Sequence, residues 1–322
     1  MNTDPDTQVE HDFSPFVRIY KSGRVERILG THVLPPSLDP STGVTSKDVV
    51  IDPDTGVSAR IYLPAGAHQP DTKLPVLIYY HGGGFCIESA ASPTYHNYLN
   101  SLASKANILV VSVEYRRAPE HPLPAAYHDS WALLRWVAAH ATGDASERWL
   151  SDYADWGRVF LAGDSAGANI AHHMAMKAGS GGSELGMKIK GVALIHSYFW
   201  GKKPIGGEIE DPEFRARMER MWRFICPSAV TEGTDDVWVN PLAEAAPGLE
   251  SLGCERMMVF VAENDFLGPR GIAYYEALKS SGWTGQVSLV EHQGQDHVFH
   301  LMDPGSHQAL QFMDALVAFF KQ

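Results

Sequence analysis

Gly163-Asp-Ser-Ala-Gly167 follows the apolar run at residues 159–162 and precedes a helix-forming stretch that begins near residue 168. A strand-to-helix turn at that place presents the Ser165 hydroxyl at the edge of a sheet, and glycines two positions to either side let the backbone reverse without side-chain collision. A serine hydroxyl is a poor nucleophile at neutral pH, so it needs a base within hydrogen-bond reach and a carboxylate to orient that base. Asp265 follows the apolar run at residues 257–262, and His297 follows the run at 287–291, giving the chain order Ser, Asp, His. His292, His300 and Asp296 compete with His297 on sequence alone, and Asp235, Asp236 and Glu263 compete with Asp265. Acyl transfer also needs donors for a developing oxyanion, each worth about 2.7–4 kcal/mol in the transition state. His81-Gly-Gly-Gly84-Phe85 directly follows the run at 76–80, which makes the Gly83 and Gly84 N–H groups candidate donors, joined by that of Ala166. The chemistry these residues predict is that of a hydrolase working by acyl transfer from a serine, with no cofactor. The absence of His-Glu-x-x-His and Cys-x-x-Cys patterns gives no reason to expect a metal.

These residues need a scaffold that brings strand ends to one rim. Apolar β-branched runs at 76–80, 108–113, 159–162, 190–195, 257–262 and 287–291 read as parallel strands, with 48–51 and 57–63 as an antiparallel hairpin at one edge. Helical stretches near 94–105, 125–139, 168–177, 269–281 and 307–320 alternate with them, the mark of an α/β fold with helices on both faces. Ser165, Asp265 and His297 then emerge at the carboxyl ends of strands, where open α/β sheets bind ligands.

Two regions interrupt the alternation. Residues 1 to about 46 are polar and turn-rich but carry Phe13, Phe16, Val17, Ile19 and Tyr20, enough apolar surface to dock as an arm. Within about 201–240, Phe214, Met218, Met221, Trp222 and Ile225 recur at helical spacing and predict a helix with one apolar face, a cap over the body. Residues 178–186 read as a flexible surface loop. Phe85, Phe199, Trp200, Phe266 and Val298 flank the chemical motifs and line an apolar substrate pocket or pack the core; sequence leaves both readings open.

At 322 residues the expectation is one domain, 1–322, with these two cap elements. A formal net charge of −12 argues against a nucleic-acid partner. The N-terminal residues lack a secretory signal pattern, no stretch has membrane-span length, and three cysteines at unpatterned spacing fit free thiols. Together they predict a cytoplasmic protein without a membrane partner, acting on a small molecule.

His81-Gly-Gly-Gly84, Glu114-Tyr-Arg-Arg-Ala-Pro-Glu-His-Pro-Leu-Pro-Ala-Ala126 and Gly163-Asp-Ser-Ala-Gly167, in this order, resemble the hormone-sensitive-lipase-like group of α/β-hydrolases. Ile19-Tyr-Lys-Ser-Gly-Arg-Val-Glu-Arg27, Gly43-Val-Thr-Ser-Lys-Asp-Val49 and Phe199-Trp-Gly-Lys-Lys-Pro-Ile205 make the resemblance one to the plant carboxylesterases. It implies a serine esterase acting on small to medium carboxylic esters, with a lid built from the N-terminal arm and the insertion. Gibberellin receptors resemble the same group but lack the catalytic histidine, which this chain keeps as His297. Relatives among the 2-hydroxyisoflavanone dehydratases and alkaloid cyclases of specialised metabolism make elimination or cyclisation the alternative reaction on this scaffold.

Overall fold

The computed structural model describes residues 4–68, 73–145, 147–180, 185–229 and 231–322. In chain order the first elements are β1 (Val9–Phe13), β2 (Val17–Tyr20), β3 (Val25–Arg27), β4 (Thr45–Asp52), β5 (Val57–Leu63) and β6 (Leu74–Tyr80). Next come α1 (Pro93–Ala106), β7 (Leu109–Glu114), α2 (Ala125–Thr142), α3 (Arg148–Tyr153), β8 (Ala154–Asp164), α4 (Ala166–Ser180) and β9 (Ile189–Ile195). The last are α5 (Pro212–Ile225), β10 (Cys254–Ala262), α6 (Gly268–Ser280), β11 (Gln286–His292), α7 (Phe299–Met302) and α8 (His307–Lys321).

Eight strands form one sheet in the order β11-β10-β9-β8-β6-β7-β5-β4. β5 runs antiparallel to both β4 and β7, and every other pairing is parallel. The central strands read as continuous apolar runs because both faces are covered. In β6, Leu74-Pro-Val-Leu-Ile-Tyr-Tyr80, all seven residues are buried. Val76, Ile78 and Tyr80 enter a core shared with α2, α4 and α6, while Leu77 and Tyr79 enter a second core under α1 and α8.

The predicted hairpin and all six predicted parallel strands are present, each within a few residues except β8. That strand begins at Ala154, because Asp155, Trp156 and Arg158 continue the extended chain without an apolar pattern. The five predicted helices are present as α1, α2, α4, α6 and α8. The arm is more structured than its composition implied: β1, β2 and β3 form an antiparallel sheet of their own. Alternation at β2, where Val17 and Ile19 are buried and Arg18 and Tyr20 are not, anchors that sheet to the core. Residues 181–184 of the expected surface loop lie outside the described residues.

α5 carries the predicted apolar face. Pro212 occupies its first turn and the Asp211 carboxylate accepts the Phe214 N–H at 2.7 Å, so its start is capped. Trp222 and Ile225 are fully buried, and Phe214, Met218 and Met221 pack partly buried beside them. The arm touches this helix through Phe13 against Phe224, ring centroids 5.0 Å apart. Behind it, Glu208 is buried between Arg270 of α6 at 2.6 Å and Arg215 of α5 at 3.3 Å.

Candidate active site

β8 ends at Asp164 and α4 begins at Ala166, so the reversal is confined to Ser165, which adopts φ +53°. A left-handed non-glycine residue costs on the order of 1–3 kcal/mol and persists only where its surroundings fix it. Here the Ser165 N–H donates to the Ile195 carbonyl at 2.9 Å, and its own carbonyl accepts from Tyr198 and Asn169 at 3.0 and 3.1 Å. The flanking glycines are required by space. A Cβ on Gly163 would lie 2.6 Å from the Tyr80 carbonyl oxygen, and one on Gly167 would lie 2.6 Å from the Tyr80 carbonyl carbon. The serine itself is 9% exposed, and its Oγ has no hydrogen-bond partner among the described residues.

Asp265 leaves the end of β10 with its carboxylate fully buried. One oxygen accepts the Leu267 N–H at 3.0 Å, and the other lies 2.7 Å from His297 Nδ1. His297 follows β11 and keeps 27% of its side chain exposed. The structure therefore pairs the two predicted residues and separates their competitors. His292 and His300 are buried against Phe312, at ring-centroid distances of 5.8 and 4.2 Å. Asp296 and Glu263 are exposed, and Asp235 and Asp236 accept hydrogen bonds within the 201–240 insertion.

The loop after β6 is held by aromatic hydroxyls. Tyr115 donates to the His81 carbonyl at 2.9 Å while its ring stacks on His81 at 4.2 Å. Gly82 donates its N–H to Tyr95 Oη at 2.8 Å, and the Tyr95 hydroxyl donates in turn to Asp164 Oδ2 at 2.8 Å. Gly83 and Gly84 follow with φ +97° and +58° and are partly exposed. Their N–H groups and that of Ala166 have no hydrogen-bond partner among the described residues. A Cβ on Gly84 would meet only Met221 Cε, 4.0 Å away, which places α5 over this loop.

Sequence reasoning passed over two residues here. Asp164, inside the serine pentapeptide, is fully buried and accepts from Tyr79 at 2.9 Å as well as from Tyr95. Burial pushes its carboxyl up to about 6, against the opposing pull of the two tyrosine hydroxyls and of His297. Its place in the motif was the available signal. His196, at the end of β9 with φ +48°, accepts the Val298 N–H at Nδ1, 2.9 Å away, and stands 5.9 Å from the His297 ring. Burial, reinforced by His300 and His297, keeps it neutral. His196, Asp265 and His297 place nitrogen and carboxylate atoms within 4.8 Å of one another. Asp265 and His297 are already paired, and His196 Nδ1 is occupied by Val298.

The five predicted pocket residues divide. Phe266 and Val298 are partly exposed beside His297, with the Phe266 ring centroid 6.2 Å from that of the histidine. Trp200 is buried between Phe214 and Phe266. Phe85, also buried, packs on Tyr127, Tyr198 and Trp222. Phe199 packs on His172 and Tyr274 of α4 and α6, which is the core-packing alternative.

Residues 77–301 match a family model described as alpha/beta hydrolase fold. A thermostable carboxylesterase from a metagenomic library is similar in structure, with TM-score 0.70 and 28% identity over 89% of this chain and 90% of that one. The Pyrobaculum calidifontis esterase gives TM-score 0.68 and 28% identity over 86% and 84%. Probable carboxylesterase 2 of Arabidopsis thaliana is 48% identical over 98% of this chain and 97% of its own length. Tuliposide A-converting enzyme 1 of Tulipa gesneriana, named chloroplastic, is 50% identical over 98% of this chain and 79% of its own. The chain belongs to the α/β-hydrolases, in the plant carboxylesterase group of the hormone-sensitive-lipase-like type. It is a carboxylic ester hydrolase. Among the described residues no helix is long and apolar enough to cross a membrane.

Proposed function

We propose that this esterase works through Ser165, His297 and Asp265, forming an acyl-enzyme from small to medium carboxylic esters. The observation that carries the reading is the 2.7 Å pairing of His297 Nδ1 with a fully buried Asp265 carboxylate, on the same sheet rim as the strained turn at Ser165. His297, held with Nδ1–H toward Asp265, has Nε2 available as a base. It takes the Ser165 proton as Oγ attacks the ester carbonyl, then delivers it to the leaving alcohol. Gly83, Gly84 and Ala166 donate to the oxyanion, and a water activated by the same histidine releases the acid. The Ser165–His297 hydrogen bond tightens as substrate binds, when catalytic hydrogen bonds take up their reactive geometry.

α5 and the β1–β3 arm act as the cap of a single hydrolase domain, and Phe214, Met221, Phe266 and Val298 set the acyl pocket. The Arabidopsis relatives, named probable carboxylesterases, support a carboxylic ester as substrate. Three free cysteines support a reducing compartment, with the cytoplasm as our assignment; the Tulipa relatives are named chloroplastic or amyloplastic. The test is hydrolysis of p-nitrophenyl acetate, butyrate and octanoate. Ser165→Ala is expected to lower turnover by on the order of 10⁴–10⁶, and a mutant that turns over at near-normal rate would overturn the assignment.

A further inference from the structure

The loop that carries Gly83 and Gly84 is conformationally costly. Gly83, Gly84, Phe85 and Glu88 all have positive φ, and at Phe85 (+61°) and Glu88 (+66°) no glycine relieves the strain. Such a loop keeps its shape only if other elements hold it, and two arginines do so. Arg117 binds the Glu88 carbonyl. Arg27, from β3 of the N-terminal arm, donates from Nε to the Cys86 carbonyl at 2.7 Å and from Nη2 to the Ala118 carbonyl at 3.1 Å. Its outer nitrogens form a two-point pair with Glu120 at 2.8 and 2.6 Å.

Both carbonyls lead back to the strained segment. The Ala118 N–H donates to the Phe85 carbonyl at 2.9 Å, and the Cys86 N–H donates to the Gly83 carbonyl at 3.0 Å. The arm continues along the same loop. A Cβ on Gly30 would lie 2.9 Å from Glu88 Cα, and the Leu34 N–H reaches the Ala91 carbonyl at 2.8 Å. We propose that Arg27 is a positioning residue for the oxyanion loop, so that the N-terminal arm braces the Gly83 and Gly84 donors in addition to covering the site. This rests on the serine-esterase reading above, in which those donors meet the oxyanion.

The geometry of the fork explains why arginine stands here. A planar guanidinium can address two carbonyls and a carboxylate at once, whereas an ammonium cannot match that spread. Displacing oxyanion donors weakens the transition state more than the ground state, so the cost falls on kcat.

The experiment compares the full-length wild type, Arg27→Ala, Arg27→Lys, Arg18→Ala and Ser165→Ala with p-nitrophenyl butyrate and a trifluoromethyl ketone. Arg18 pairs with Asp12 in the same arm at 3.1 Å but does not bind the oxyanion loop, and serves as the control. Arg27→Ala should lower kcat by on the order of 10- to 100-fold with KM within about twofold. Its affinity for the ketone, which forms a tetrahedral adduct, should fall in step with kcat/KM. Millimolar guanidinium should restore part of the rate in Arg27→Ala. Arg27→Lys should lie between wild type and alanine, and gives the reading if the alanine variant does not fold. Arg18→Ala should match wild type. Unchanged kcat in both Arg27 variants, or a rise in KM alone, with Ser165→Ala inactive, would overturn the brace and leave the esterase mechanism standing. Full activity in Ser165→Ala would overturn the mechanism on which the brace rests.

Discussion

Asp265 holds His297 with one carboxylate oxygen and its own loop with the other: His297 Nδ1 lies 2.7 Å from Oδ2, and the Leu267 N–H donates to Oδ1 at 3.0 Å. The carboxylate is fully buried, so its rotamer is fixed before substrate arrives. An asparagine would preserve the shape but could turn an N–H toward His297, favouring the wrong imidazole tautomer. Asp265→Asn should lower kcat roughly 10⁴-fold with little change in stability. Steady-state kinetics on the folded variant checks this, and a rate within tenfold of wild type would exclude Asp265 from the role.

Asp164 makes a prediction about pH with an unusual sign. Its folded-state value of about 6 exceeds the ordinary 3.8, so between about pH 4 and 6 the folded protein binds a proton that the unfolded chain has released. Stability from this group is therefore greatest at the acid end and falls as pH rises through 6, by up to about 3 kcal/mol at 1.36 kcal/mol per unit. Asp164→Asn removes that titration. The stability difference between wild type and variant, measured by urea unfolding, should shift against wild type as pH rises across this interval. A difference independent of pH would contradict the assignment.

Glu208 is buried with two arginines, Arg270 at 2.6 Å and Arg215 at 3.3 Å. Removing Arg270 leaves a charge only partly compensated by Arg215, so Arg270→Ala should destabilise by about 3 kcal/mol, the low end for a broken buried pair. Adding Glu208→Leu should recover much of that loss, because no buried carboxylate is then left unpaired. Chemical denaturation of the single and double variants separates these outcomes. Equal destabilisation in both would show that the cost comes from packing.

The strands and the candidate triad were legible because their signals are local. β6 to β11 each carry a mostly apolar run, and Ser165, Asp265 and His297 follow the ends of β8, β10 and β11. The β1–β3 sheet was not legible, since β1 is Val-Glu-His-Asp-Phe with four exposed residues and no periodicity to read. Nor was the direction of Phe199, which depends on how α4 and α6 pack against it. Arg27 reaches Cys86 and Ala118 across 59 and 91 positions, and no pattern near Arg27 announces either partner. Asp164 was visible within a motif, but its burial between Tyr79 and Tyr95 required the second core to be assembled.

The central claim is that Ser165 is an activated nucleophile. The most direct measurement is the intact mass of the protein after reaction with an organophosphate, followed by peptide mapping, on wild type and Ser165→Ala. One phosphoryl group on Ser165, with loss of esterase activity in proportion and no adduct in the alanine variant, is the predicted result. An adduct at another residue, or an unmodified wild-type enzyme that still hydrolyses esters, would contradict the account.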